Sequence, residues 1–114
     1  MIEIQCTPKD NGLIVSVTGR LDTATAALFE RKRKFQEDVV GSGQKRVVLD
    51  FSKLVYISSL GLSSVLAGAK ALNQRGGELV LCGLGGMVRE VFQITGFATV
   101  FKIFTTPEAA LEQH

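Results

Sequence analysis

Residues 54–69 read LVYISSLGLSSVLAGA: an apolar run, two adjacent serines, and then a second run rich in leucine, valine and alanine. In the second run the aliphatic side chains recur every three or four residues, which places them on one stripe of an α-helix. The stripe comprises Leu62, Val65, Leu66, Ala69 and Leu72. A strand is therefore predicted to lead through the serines into a helix that packs on a core.

The two serines, Ser58 and Ser59, stand where this helix should begin. A serine oxygen at an N-cap accepts a hydrogen bond from an N–H group of the first turn that has no partner within the helix. Capping is the simplest role for either serine. Because one helix start uses one N-cap, we expect the other hydroxyl to face outward and to be available to a partner.

The chain begins with a predicted β-hairpin. Residues 2–6 and 13–18 alternate apolar and polar side chains, and the turn-forming residues 8–12 separate them. A helix should follow, because Asp22 and Thr23 are both of residue types that cap helix N-termini. Its apolar face is expected to contain Leu28, Phe35 and Val39.

Two further apolar runs flank the serine helix. Residues 46–51 (RVVLDF) and 78–83 (ELVLCG) have the composition of strands that are buried on both faces of a sheet. Since a helix connects them, they are predicted to be parallel, in a βαβ arrangement. The first strand is predicted to end in a loop over residues 52–59, at the carboxyl edge where ligands and partners commonly bind in such sheets.

The C-terminal third is predicted to contain a helix over residues 87–95, a short strand over residues 100–104 and a last helix. The last helix has Thr106 as its expected N-cap, and a capping box of Thr105 with Glu108 is the competing interpretation. The predicted order is β-β-α-β-α-β-α-β-α. It corresponds to an α/β fold with a mixed central β-sheet and about four helices.

Composition supports one domain that spans residues 1–114. A chain of 114 residues with 46% hydrophobic residues can bury one adequate core. Its net charge of +2 is far from the concentrated basic character of nucleic-acid-binding domains. The basic run at residues 31–34 surrounds most of a helical turn and is expected to be a solvated helix surface. We therefore expect no nucleic-acid partner.

The chain is expected to be cytoplasmic. Its N-terminus, MIEIQCTPKD, lacks the basic lead and long apolar stretch of a cleaved signal peptide. The uncharged run at residues 54–69 is shorter than the roughly 20 apolar residues that span a membrane, and it contains four serines and two glycines. No membrane insertion is therefore expected. Cys6 and Cys82 lie within predicted strands, where a free thiol behaves as a small buried hydrophobe, so no disulfide is expected.

Residue content also argues against the common catalytic sites. The only histidine is His114, so neither an internal Ser-His pair nor a His and Cys metal site can be built. The loop at residues 83–86 resembles a dinucleotide-binding turn, but Val88 occupies the position of the third glycine. The hydrolase pattern Gly-x-Ser-x-Gly fails as well, because Val65 stands in place of its second glycine. We therefore expect no enzyme activity, no cofactor and no metal ion.

Two polar features remain as a candidate site. Asp22 follows the second predicted strand, and Ser58 and Ser59 follow the third. Because the carboxyl ends of neighbouring strands can meet at one edge of a sheet, the two loops are predicted to form a single surface.

Nearly the whole chain resembles the STAS domain, a family shared by sulphate transporters and bacterial anti-sigma factor antagonists. The resemblance rests on three fragments in the family's order: IVSVTGRLDTATA, VVLDFSKLVYISSLGLSSVLAGAKAL and GGELVLCGLGGMVREVFQITGF. It implies a STAS-like fold and the function of an anti-sigma factor antagonist, which is a protein-interaction switch in transcription regulation.

The resemblance also implies a phosphorylation site. Such antagonists typically carry Asp-Ser-Ser/Thr-Gly-Leu at the start of the second helix, and an anti-sigma factor that is also a serine kinase phosphorylates the first serine. Aligning Gly61 and Leu62 with the family's Gly-Leu makes Ser59 the acceptor, with Ser58 as second choice. Ser58 stands at the family's acidic position, and Leu60 replaces its small hydroxyl residue.

The implied partner surface joins this motif to the family's first conserved loop. It comprises Asp22, Thr23, Ser58, Ser59, Leu60, Gly61 and Leu62. The unphosphorylated protein would bind the anti-sigma factor, phosphorylation would release it, and a phosphoserine phosphatase would reset the switch. Two alternatives remain open: a non-phosphorylated STAS scaffold or accessory subunit of a transporter or signalling complex, and a small nucleotide-binding enzyme.

Overall fold

The structure, a computed structural model, describes residues 2–32 and 46–112. A five-stranded sheet runs through the molecule, and its strands lie side by side in the order of the sequence. The first pair is antiparallel and the following pairs are parallel, so the predicted hairpin and mixed sheet are confirmed. The strands are β1 (Ile2–Lys9), β2 (Gly12–Leu21), β3 (Arg46–Ile57), β4 (Glu78–Cys82) and β5 (Ile103–Phe104).

A helix follows each of the parallel strands, which confirms the predicted order of elements. The helices are α1, described over residues 26–32, α2 (Ser59–Gln74), α3 (Gly86–Ile94) and α4 (Pro107–Glu112). A 3-10 turn at Phe97–Thr99 leads from α3 towards β5. Thr106 caps α4 as predicted, because its Oγ1 accepts a hydrogen bond from the N–H of Ala109 at 3.1 Å.

Alternating side chains divide the residues of the sheet between two faces. On one face, Leu49 and Leu81 share a core cluster with Phe29 of α1, Val65 of α2 and Phe92 of α3. On the other face a smaller cluster lies beneath α4. It comprises Ile14, Val48, Val80, Cys82, Ala110 and Leu111. With the helices on the faces, the carboxyl ends of the parallel strands meet at one edge of the molecule.

The aliphatic stripe of the serine helix is confirmed as the face that packs on the sheet. Leu62 and Leu72 are 5% and 4% exposed, and Val65 is fully buried. Leu66 and Ala69 are partly buried against the same cluster. Burial of this stripe, rather than helix propensity, holds α2 in place.

Strand β3 is longer than predicted, because residues 52–57 belong to the strand and not to a loop. Two irregularities in its pairing with β2 each add one residue to β3, so that Thr18 lies opposite Lys53 and Arg20 opposite Tyr56. Lys53 is exposed within the strand. A strand with one solvated face tolerates polar residues that interrupt the apolar run, so composition alone placed its end too early.

Two smaller predictions were wrong. In α1 the side chain that reaches the core is Phe29, which is fully buried, whereas Leu28 is only half-buried; Phe35 and Val39 lie outside the described residues. The last strand begins at Ile103, not at residue 100, because Val100 ends the 3-10 turn and is 62% exposed. Within the described ranges, no helix is long and apolar enough to cross a membrane.

Candidate functional site

Ser58 fixes the start of α2. Its backbone is extended, with φ −96° and ψ 173°, and its Oγ accepts a hydrogen bond from the N–H of Gly61 at 3.1 Å. Its own N–H donates to the carbonyl oxygen of Leu21 at 3.0 Å. Ser58 is therefore the N-cap, a role that an aspartate at this position would fill equally well.

Ser59 is the first residue of α2, and it is exposed. Among the described residues its hydroxyl has no hydrogen-bond partner, and the capping bond is made by Ser58. The first turn of α2 contains no acidic side chain. The positive end of the helix dipole and its N–H groups therefore lie beside this hydroxyl without a competing negative charge from the helix, which favours an anion here.

Of the two leucines that follow Ser59, one is exposed and the other is buried. Leu60 is 47% exposed, whereas Leu62 belongs to the core. A Cβ on Gly61 would lie 2.4 Å from the carbonyl oxygen of Leu21 and 3.1 Å from a side-chain atom of Ile57. Glycine is therefore required by the close approach of α2 to the end of β2, and this approach holds the serines against that strand.

Asp22 begins the second loop of the site. Its Oδ1 accepts hydrogen bonds from the N–H groups of Ala24 and Thr25 and from the hydroxyl of Thr25, each at 3.1 Å. Desolvation raises the pKa of Asp22, but these hydrogen bonds outweigh it and hold the pKa below the ordinary value for an aspartate. Asp22 is therefore an anion at neutral pH. It, rather than the exposed Thr23, makes the capping bonds ahead of α1.

The two predicted loops lie at one edge of the sheet. Leu21 is paired with Ile57 across β2 and β3, so Asp22 and Ser58 are each the first residue beyond a paired strand end. The hydrogen bond from Ser58 N–H to the Leu21 carbonyl joins the loops directly. The structure therefore brings together Asp22 and the serines, which the sequence had placed 36 residues apart.

A cation–π pair borders this surface and was missed from the sequence. The guanidinium carbon of Arg20 lies 4.1 Å from the centre of the Tyr56 ring, and Arg20 Nε lies 3.7 Å from Asp22 Oδ2. Arg20 and Tyr56 meet because they are opposite each other on β2 and β3. Their pairing depends on the two extra residues in β3, and no local sequence signal marks those residues.

Outside this surface, metal ligands and cysteines are the side chains with potential reactivity. No group of His, Cys, Asp and Glu side chains within those residues could hold a metal ion. Cys6 and Cys82 are both free of disulfides. Burial, followed by the charge of Asp50 and a hydrogen bond to it, raises the pKa of the Cys82 thiol to about 12. That thiol is protonated at neutral pH and is not a nucleophile.

Known proteins resemble this chain over most of its length. The family model of the STAS domain matches residues 1–110. A protein of Bordetella bronchiseptica described as a candidate anti-sigma factor antagonist, BtrV, is 46% identical over 101 residues, which are 89% of this chain and 84% of that protein.

Solved structures give the same picture of the fold. An anti-sigma factor antagonist from Mycobacterium paratuberculosis matches with a TM-score of 0.83 at 26% identity, over 97% of this chain and 92% of that one. The Bacillus cell fate determinant SpoIIAA, in its phosphorylated form, matches with a TM-score of 0.72 at 20% identity, over 96% of this chain and 97% of that one.

Proposed function

This chain belongs to the STAS domain family, and we propose that within the family it acts as an anti-sigma factor antagonist. The 46% identity to BtrV over most of both chains supports this assignment, because that protein carries the same description. The antagonist binds an anti-sigma factor and so frees the sigma factor that directs transcription. It acts by occupying a protein surface rather than by catalysis.

Ser59 is the residue that controls this binding, through phosphorylation by the anti-sigma factor acting as a serine kinase. The observation that carries the proposal is the exposed Ser59 hydroxyl, without a hydrogen-bond partner in the described chain, at the N-terminus of α2. Ser58 is the poorer acceptor, because its Oγ is engaged with the N–H of Gly61 and its side chain is half-buried. To accept a phosphate group, the serine hydroxyl must enter the active site of the kinase. The exposed Ser59 hydroxyl can do so.

Phosphorylation changes the contact surface more than the fold. A phosphoserine carries roughly −1.5 to −2 charges at neutral pH, and burying them in an interface without partners is costly. The N–H groups at the start of α2 stabilise such a charge while the domain is free. The ionised Asp22 on the neighbouring loop adds negative charge to the same edge. The modified protein therefore leaves a partner whose surface fits the uncharged serine.

The partner surface consists of the exposed residues around this hydroxyl and the glycine that positions them. Thr23, Ser59 and Leu60 are exposed, and Asp22 and Ser58 are half-buried beside them. Gly61 and the buried Leu62 support the surface from beneath rather than by direct contact. A phosphoserine phosphatase resets the switch in the cytoplasm, and the chain works as one domain over residues 1–114.

The test measures the affinity of purified protein for its cognate anti-sigma factor by calorimetric titration. Ser59→Ala keeps the uncharged surface and is expected to bind within about threefold of the unmodified protein. Ser59→Asp places a charge at the centre of the contact and is expected to weaken binding by about 100-fold or more. Ser63→Asp is the matched control, because Ser63 is also exposed on α2, one turn further along.

Equal affinities of Ser59→Ala and Ser59→Asp would show that a negative charge at residue 59 does not control binding. If Ser63→Asp lost as much affinity as Ser59→Asp, the loss would reflect added negative charge on α2 in general and not the position of Ser59. If the unmodified protein binds no anti-sigma factor, and instead recovers transporter subunits from its native cell, the scaffold function replaces the antagonist.

A further inference from the structure

A groove of about 410 Å³ lies between α3 and β5, and none of the residues of the proposed switch line it. Its size is within the range of small-molecule sites, and it opens beside the carboxyl ends of β4 and β5. Its wall is mostly apolar. The apolar side chains include Leu84, Phe92, Ala98, Ile103 and Phe104.

The charge of this groove has one sign. Arg89 is the one charged residue among the described residues that line it, and no carboxylate accompanies it. The Arg89 guanidinium is exposed and forms no hydrogen bond or ion pair with the described chain. Gln93 and Thr105 also line the groove, without side-chain partners in those residues. The groove thus combines an apolar wall with polar groups that are available to a ligand.

A second groove of about 370 Å³ provides a contrast within the same molecule. It is lined by Lys70 and Lys102, but also by the carboxylate of Glu78. Glu78 Oε2 lies 3.2 Å from Lys102 Nζ, and its Oε1 lies 2.6 Å from an Arg46 nitrogen. The charges of this second groove are therefore already paired in part by protein groups, whereas the cation of the first groove is not.

We propose that the groove between α3 and β5 binds a small amphipathic anion: a carboxylate on an aromatic ring or a short hydrocarbon chain. The apolar part lies against Leu84, which is half-buried, and Ile103, which is 37% exposed, where it removes apolar surface from water. The carboxylate faces Arg89, which offers paired N–H donors in the geometry that carboxylates accept. The inference does not rest on the proposed switch, because it uses none of the switch residues.

The experiment follows backbone amide NMR signals of the purified protein during titration with phenylacetate and with its uncharged analogue phenylacetamide. Phenylacetate is expected to bind at millimolar concentration and to shift the signals of residues 83–85, 89–93 and 103–105. Phenylacetamide is expected to bind about tenfold more weakly, because it loses a charge-assisted hydrogen bond. Arg89→Gln should abolish the difference between the two probes.

Two variants make the result decisive. Lys70→Gln removes an exposed cation from the second groove and should leave both titrations unchanged. Ala98→Leu fills the first groove and should weaken both probes. The proposal is overturned if phenylacetate shifts no signals, if it shifts residues of the second groove instead, or if Arg89→Gln retains the preference for the carboxylate. None of these readouts depends on an anti-sigma factor, so they are independent of the switch proposal.

Discussion

The starts of α2 and α3 both follow a buried parallel strand at the same edge of the sheet, yet the two turns are built differently. At α2, Ser58 supplies a side-chain cap, and Gly61 lies against the backbone of β2. At α3 the N-cap is Gly85, which has no side chain that could make a capping hydrogen bond. A Cβ on Gly85 or Gly86 would meet open space.

Glycine is needed for a different physical reason at the start of each helix. Gly61 is needed for space, whereas Gly86 is needed for its backbone φ of +53°. The α2 turn is held by packing and by a cap, so it can display one exposed hydroxyl in a fixed place. The α3 turn contains no hydroxyl side chain, and it lies beside an apolar groove.

Gly61→Ala tests the packing half of this comparison and should have the largest effect on stability. The new Cβ would meet the Leu21 carbonyl at 2.4 Å, and backbone cannot move as a flexible side chain can. We expect the free energy of unfolding to fall by about 3 kcal/mol. Gly85→Ala is the control: its φ of −150° suits any residue and its surroundings are open, so the loss should stay below about 1 kcal/mol. Urea unfolding measures both, and equal losses would refute the packing argument.

Ser58 variants test the capping half and should have an intermediate effect. Ser58→Ala removes the acceptor for the Gly61 N–H and is expected to cost about 1 kcal/mol of unfolding free energy. Ser58→Asp restores an acceptor and adds a charge that the helix dipole favours, so its cost should be within about 0.5 kcal/mol. Thermal unfolding of the three proteins provides the measurement. An alanine variant as stable as the parent would mean that Ser58 is not the working cap.

Cys82 lies at the end of β4, just before the α3 turn. At neutral pH its titration should have the smallest effect on the free energy of unfolding. Its native pKa of about 12 exceeds the ordinary value of 9.0, first because of burial and then because of Asp50. Between these values the unfolded chain releases a proton that the native protein keeps. Stability is therefore expected to be unaffected by this group below pH 9 and to fall as the pH rises from 9 towards 12.

Unfolding of the parent and of Cys82→Ala across this range isolates that contribution. The two proteins share every other side chain, so only the difference in slope between their curves counts. The parent should lose stability more steeply than Cys82→Ala above pH 9. Parallel curves would show that the thiol is not held protonated by its surroundings.

Features that depend on neighbouring residues in the sequence were predicted well. The stripe of α2, a cap at one of the two serines and the cap at Thr106 follow from helical spacing and from the chemistry of one side chain. The proximity of Asp22 to Ser58 followed from the parallel arrangement of β2 and β3. These are local rules, or topological rules with few alternatives.

Features that depend on register and on packing between distant segments were not predicted. The second half of β3 and the Arg20–Tyr56 pair require two extra residues in the ladder, whose positions are set by how β3 fits β2. In α1 the core residue is Phe29 and not Leu28, because packing against the sheet decides which face of the helix is buried. The groove beside Arg89 arises from the spacing of α3 and β5, which a sequence pattern does not encode.

Fragment mass spectra of the protein recovered from its native cell would show which serine is phosphorylated. We expect a single phosphate group, attached to Ser59, in a fraction of the molecules, with Ser58 and Ser63 unmodified. A phosphate on Ser58, or the absence of any phosphate while the sigma factor is held inactive, would contradict it.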